Sequence, residues 1–151
     1  MDIPAIVNHL LPFWSYRLSF SLTLVTGGLL LWQYPGAKGT AGHITRWALA
    51  LFLSVFVVYM NTVTVLSRPA VRISNPWHIR LMEFHQDVGL IYFALMALMP
   101  LLGGSLLVAR RAGGQRPAAL RAAHKWLGYA AGVTWLVSNI ASEIGSRIPP
   151  T

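Results

Sequence analysis

The sequence predicts an all-α protein, an integral membrane up-down four-helix bundle with four transmembrane helices. Hydrophobic residues make up 55% of the 151 residues and charged residues only 11%, whereas soluble domains carry about 25% charged residues. Four long apolar runs follow one another. Because little chain remains for a soluble domain, we expect residues 13–145 to form a single transmembrane domain, between an interfacial segment at 1–12 and a polar tail at 146–151.

Turn residues and helix-start signals set the expected boundaries. Pro4 and Pro12 interrupt the interfacial segment. Asn75-Pro76 predicts a helix start, with asparagine at the N-cap and proline at the first helical position. Pro100 and Gly103-Gly104 predict a kink in the helix that follows. The expected spans are 14–34, 43–66, 88–108 (inside a helix at 76–110) and 118–145.

Composition also excludes several function classes. The net charge is +8, but the basic residues lie in short connections, where they orient membrane helices, and they form no groove for nucleic acid. The absence of cysteine excludes disulfides, thiolate zinc sites, iron–sulfur clusters and covalent c-type haem. No nucleophile, phosphate-loop or zinc-protease motif appears. An electron-transfer, assembly or structural role is therefore favoured over an enzyme.

The distribution of positive charge predicts the topology. One side of the membrane would hold seven basic residues and the other five, and the side richer in lysine and arginine faces the cytoplasm. We therefore expect a protein of the bacterial inner membrane with both termini on the outer, periplasmic side. The seven are Lys38, Arg46, Arg110, Arg111, Arg116, Arg121 and Lys125, and the five are Arg17, Arg68, Arg72, Arg80 and Arg147.

Two histidines are expected on the cytoplasmic side, each at the start of a helix. His43 opens helix two and His124 opens helix four. In a four-helix bundle these helices lie on one diagonal, so the two imidazoles could ligate one haem iron from both faces. Gly128 and Ala131 share the face of His124 and would leave room for a macrocycle. Alternatively, Gly128 and Gly132 form a GxxxG packing pattern, and the histidines are only interfacial polar groups.

Three potential metal ligands are expected on the outer side. His78, Met82 and His85 are spaced i, i+4, i+7 and share one helical face. Imidazole with thioether is a ligand set suited to copper. His9 is the third histidine expected on the outer side.

The alternative for this outer segment is a solvated amphipathic turn at the lipid headgroups. In it, Glu83 or Asp87 would form an ion pair with Arg80 or Arg147. Both interpretations remain open at this point.

Polar residues near the outer ends of helices two and four have a function or cross-link helices. Asn61 and Glu143 are the two examples here. Asn61 also continues the helical face that begins at His43, and we expect this face to look inward as a packing surface. The other members of that face are Trp47, Ala50, Ser54 and Val57.

The order of these features resembles a known arrangement. A histidine opens helix two (HITRWALALFLSVFVVY), another begins HQDVGLIYFALMALMPLL, and a basic loop precedes the histidine in RRAGGQRPAALRAAHKWLGYAAGVTW. This is similar to the small four-helix membrane family linked to assembly of haem–copper oxidases. More loosely, it resembles the b-type membrane cytochromes of the ferric-reductase and diheme superfamily. The resemblance implies a role in electron transport, with His43, His85 and His124 as the matching positions.

One departure from the diheme cytochromes limits the cofactor content. No helix carries two well-separated histidines, so the chain supports at most one haem. Two functions follow as expectations. The first is an accessory protein of a respiratory or photosynthetic complex that transfers electrons through a bis-histidine haem b. The second is a non-catalytic assembly or structural subunit that handles copper or docks a partner on its outer face. In either case the partners are the lipid bilayer and other membrane subunits.

Overall fold

The computed structural model describes residues 11–31, 40–67, 73–113 and 117–149, and in these ranges the protein is helical with no β-strand. The all-α class is therefore confirmed. After a single 3-10 turn at Leu11–Phe13, the α-helices are α1 (Tyr16–Leu31), α2 (Thr40–Leu66), α3 (Pro76–Arg111) and α4 (Ala118–Arg147).

The start of α3 confirms the predicted cap. The side chain of Asn75 accepts a hydrogen bond of 3.1 Å from the backbone N–H of Trp77, and Pro76 takes the first helical position. An N-cap oxygen satisfies one of the donors that a helix leaves unpaired at its start. The helix then continues without interruption through Pro100 to Arg111.

Other predicted boundaries shift by a few residues. The second helix begins three residues earlier than predicted, at Thr40. The fourth continues to Arg147, so the predicted tail begins inside it. Most of the interfacial segment, including His9, lies outside the described residues.

Within the described ranges, two helices are long and apolar enough to cross a membrane, namely α2 from residue 41 and the whole of α3. Only 22% of the most apolar part of each is buried, whereas a core helix of a soluble protein is mostly buried. In its described part α1 is apolar but only 16 residues long. Although α4 has 30 residues, polar side chains such as Lys125, Asn139 and Glu143 interrupt its apolar sequence.

The chain divides into two compact units, Met1–Ala70 and Val71–Thr151. In the first unit, α1 and α2 pack as an antiparallel pair around Trp14, Val57 and Met60. The Trp14 indole donates a hydrogen bond of 2.9 Å to Asn61 Oδ1. Asn61 Nδ2 donates one of 3.1 Å to Ser19 Oγ. Asn61 therefore cross-links the two helices, one of the two roles predicted for it.

The predicted inward face of α2 is a packing surface, as expected. Ala50, Ser54 and Val57 are all buried. Ser54 satisfies its hydroxyl within the helix by donating a hydrogen bond of 2.8 Å to the carbonyl of Ala50. This leaves an apolar surface for contact.

The second unit is an antiparallel pair of α3 and α4, whose contact surface we call the seam. At four levels of the seam, a larger side chain on one helix lies against a glycine of the other. From one contacting pair to the next, the residue number on α3 rises by the same amount as the residue number on α4 falls. The two helices therefore keep a single register along the seam. The four pairs are Met82 with Gly145, Gly89 with Ser138, Met99 with Gly128, and Gly103 with His124.

The seam follows a regular sequence spacing. Its positions alternate between steps of three and four residues, the repeat that keeps two helices in contact along their length. Small residues at such positions allow close backbone approach in membrane proteins. On α3 the positions are His78, Met82, His85, Gly89, Tyr92, Met96, Met99 and Gly103, and on α4 they include His124, Gly128, Ala131, Ser138 and Gly145.

Candidate functional site

The His124 imidazole faces α3 inside the seam. Its Cε1 atom lies 3.3 Å, and its Nδ1 atom 3.9 Å, from the point that a Cβ on Gly103 would occupy. The side chain is half-buried, although Lys125 beside it is exposed. This orientation follows from the position of His124 at the first level of the seam, where Gly103 has no side chain to block the ring.

The space next to Gly128 is filled by a methionine. The Met99 methyl carbon lies 3.5 Å from the point where a Gly128 Cβ would be, and Met99 is buried. Ala131, one turn further on, is also buried. These small residues therefore serve helix packing, which was the alternative explanation of the glycines. Room for a macrocycle beneath His124 would require Met99 to move.

His43 lies in the first turn of α2 and is half-buried. Arg46 folds back along the same turn, with one guanidinium nitrogen 3.6 Å from where a Gly42 Cβ would lie. The site around His43 is thus basic and close to the helix end. His43 and His124 belong to different units, so their pairing across a haem iron stays a prediction.

His85 and Ser138 form a reciprocal contact between α3 and α4. His85 Nδ1 lies 2.8 Å from the Ser138 carbonyl oxygen and 2.9 Å from Ser138 Oγ. The Ser138 hydroxyl donates to the His85 carbonyl oxygen over 3.0 Å. A carbonyl oxygen only accepts, so Nδ1 carries a proton and donates it to Ser138; in the neutral ring the lone pair then lies on Nε2.

His78 is oriented in the same way. Its Nδ1 donates a hydrogen bond of 3.0 Å to the Ile148 carbonyl oxygen at the end of α4, so in the neutral ring the lone pair again lies on Nε2. Met82, between the two histidines on the face, packs with its sulfur 3.1 Å from a Cβ position on Gly145. All three residues face α4, as their spacing predicts.

The structure nevertheless holds the two imidazoles at different levels. Their carbonyl acceptors, Ile148 and Ser138, are about ten residues apart, roughly 15 Å along a helix. In the described part of the chain, no three His, Cys, Asp or Glu side chains form a group that could hold a metal ion. A copper site of His78, Met82 and His85 would need the rings to rotate towards each other, and it stays a prediction.

The charged residues of this region are exposed. Glu83 and Asp87 lie on the outer surface of α3. Arg147 binds Glu143, one turn away on its own helix, with an N–O distance of 2.6 Å, rather than either acid of α3. An i, i+4 pair needs no particular arrangement of a second helix, which explains the preference.

Sequence reasoning missed three residues of these sites: Ser138, Gly103 and Met99. Each is the cross-helix partner of a residue that was singled out. A signal was present, because the spacing of His78, Met82 and His85 continues to Gly103 in the same three-and-four alternation. Extending that pattern along α3, and the pattern that starts at His124 along α4, predicts the two faces of the seam but not their register.

No protein-family profile, curated protein or solved structure matches this chain. The resemblance to the haem–copper oxidase assembly family and to the b-type membrane cytochromes accordingly stays a prediction.

Proposed function

We propose that the chain crosses the membrane with four helices and binds one haem b, which His124 and His43 would hold. It would act as an accessory electron-transfer subunit of a membrane redox complex. The observation that carries the proposal is the position of the His124 imidazole, which lies inside the seam against Gly103. A histidine that serves only as an interfacial polar group would point to the headgroups.

The residues around His124 fit a haem in their chemistry. A haem b site needs an imidazole ligand and apolar surroundings that exclude water. Gly103 places no side chain against the ring, and Met99, which fills the space next to Gly128, is apolar. The proposal requires Met99 to leave that space, and its side chain is unbranched and adaptable. When bound, the haem supplies a one-electron carrier, and the chain holds and shields it.

The exterior of α4 supports its assignment as a span despite its polar residues. Four large apolar residues of α4 are about half-exposed: Val133 (60%), Leu136 (50%), Ile140 (50%) and Ile144 (49%). They recur at helical spacing and form one apolar stripe. In water such a stripe would be unfavourable, whereas lipid would cover it. Of the polar residues, Asn139 satisfies its amide N–H within the helix by donating to the Trp135 carbonyl oxygen, and Glu143 pairs with Arg147 at the last turns.

The visible spectrum of the purified full-length protein tests the proposal. Expressed with an adequate haem supply, the wild type should give a b-type α-band in the reduced-minus-oxidised difference spectrum. His124→Ala and His43→Ala should each abolish the band. His78→Ala, which removes an imidazole at the other end of α3, is the matched control and should retain it. A colourless wild type, or a band insensitive to both cytoplasmic histidines, would contradict the proposal.

A second candidate is a non-catalytic assembly subunit that handles copper on its outer face. The specific observation in its favour is that His78 and His85 both donate from Nδ1 to backbone carbonyls. This is the usual arrangement behind a metal-ligating histidine, because it fixes the tautomer that presents Nε2. Copper bound by the purified protein and lost on His85→Ala, but kept on His124→Ala, would favour this role. A metal-free preparation would exclude it.

A further inference from the structure

The charged side chains of the second unit are segregated between the two ends of the α3–α4 pair. One end, which we call the basic end, combines the last turn of α3 with the first turns of α4. It consists of Arg110, Arg111, Arg121 and Lys125, all of them exposed. The antiparallel register places these residues together, because Gly103 of α3 already lies against His124 of α4.

The opposite end has a different charge. All the described acidic side chains of this unit lie there, on or next to the first turns of α3 and the last turns of α4: Glu83, Asp87 and Glu143. Arg80 and Arg147 accompany them, and Arg147 is paired with Glu143. The basic end therefore has four cations and no described carboxylate to neutralise them. A surface of this kind attracts anions.

Aromatic residues border the basic end on the side of the apolar stripe. The Lys125 ammonium lies 5.7 Å from the centre of the Tyr129 ring. Trp126 contacts the same ring edge-to-face at 5.7 Å, and 69% of the Trp126 side chain is exposed. An exposed tryptophan and a tyrosine between basic and apolar surfaces are typical of the headgroup level of a bilayer.

We infer that the basic end binds the headgroups of anionic phospholipids. Guanidinium groups bind phosphate oxygens in a bidentate way, and three of the four cations at this end are arginines: Arg110, Arg111 and Arg121. The start of α4 adds backbone donors, because Pro117 provides no side-chain cap for the first N–H groups of the helix. The aromatic pair fixes the depth of the headgroup beside the cations. The inference rests on the proposed membrane insertion but not on the haem, because these basic side chains are exposed whereas the His124 ring points into the seam.

Lipid titration of the full-length protein in a non-ionic detergent tests the inference. Native mass spectrometry would compare the binding of phosphatidylglycerol and phosphatidylcholine with identical acyl chains. A cation near an anionic lipid surface contributes roughly fivefold to affinity. We therefore expect the wild type to prefer phosphatidylglycerol, and the variant with Arg110, Arg111, Arg121 and Lys125 all changed to Gln to lose at least about tenfold of that affinity.

The control removes charge from the other end of the same helices. Arg80→Gln with Arg147→Gln should leave the preference for phosphatidylglycerol unchanged. If the fourfold variant does not fold, Arg121→Gln and Lys125→Gln tested singly should each weaken binding by roughly fivefold.

Three results would overturn the inference. They are equal affinity for the two lipids, an equal loss in the control variant, and displacement of the lipid by millimolar inorganic phosphate. The last result would show a site for free phosphate rather than for a lipid headgroup.

Discussion

Replacement of Gly103 by alanine tests the position of the His124 ring most sharply. A Cβ on Gly103 would lie 3.3 Å from His124 Cε1. Comfortable contacts between carbon atoms are about 3.5–4.0 Å. The imidazole would therefore have to move by a few tenths of an ångström. The adjacent residue, Gly104, offers a matched control, since a Cβ there meets nothing within 4 Å.

The expected magnitudes follow from two opposing effects. Both substitutions replace a helical glycine, and each gains about 1 kcal/mol of helix propensity. Only Gly103→Ala also overpacks the seam, a change that costs about 1–3 kcal/mol. The lower part of that range applies because the His124 ring is half-buried and can tilt. We expect Gly104→Ala to raise the free energy of unfolding by about 1 kcal/mol and Gly103→Ala to leave it unchanged or lower, a difference of about 1–2 kcal/mol.

The assay is reversible unfolding of the full-length protein in mixed micelles, followed by circular dichroism. The same two substitutions in a His124→Ala background complete a double-mutant cycle. With the ring removed, Gly103→Ala and Gly104→Ala should agree within about 0.5 kcal/mol. Equal effects in the wild-type background, or a difference that persists without His124, would refute the placement of the imidazole against α3.

Two further predictions concern the cross-helix hydrogen bonds. Ser138→Ala should lower the free energy of unfolding by about 1 kcal/mol, because the His85 carbonyl loses its buried hydroxyl donor. The ¹⁵N shifts of His85 in this variant should still report a proton on Nδ1. A ring with its proton on Nε2 alone would contradict the described tautomer. Asn61→Leu should destabilise the first unit by about 1 kcal/mol and change the near-ultraviolet circular dichroism of Trp14. Thr62→Val, on the exposed side of α2, should change neither.

Local chemistry explains why the limits of α3 were predictable. Asn75 and Pro76 act on the backbone that they adjoin, so their effect does not depend on the rest of the fold. The shared face of His78, Met82 and His85 was predictable for a similar reason, since helical periodicity alone determines it. The all-α class follows from composition and from apolar runs of sufficient length.

Cross-helix partners could not be predicted in the same way. The contact between His85 and Ser138 depends on the register of α4 against α3. That register results from how the side chains interlock with glycines on the opposite helix, and neither helix specifies it alone. The orientation of His124 likewise depends on Gly103, a residue of another helix. Arg147 had several acids within reach by sequence, and the pair with Glu143 formed because it lies within one helix.

The sizes of the residues on α4 do not by themselves determine how much room lies beneath His124. Gly128 and Ala131 are small, but a small residue in a helix pair is usually the place where a larger partner packs. Met99 takes that place here. The haem proposal therefore requires Met99 to move when the cofactor binds.

The electron paramagnetic resonance spectrum of the oxidised, haem-supplied protein tests the central claim most directly. Ligation by His124 and His43 predicts the low-spin ferric signal of an iron held by two imidazoles, and substitution of either histidine by alanine should remove that signal. A ferric haem that is high-spin in the wild type, or a protein that takes up no haem, would contradict the bis-histidine site.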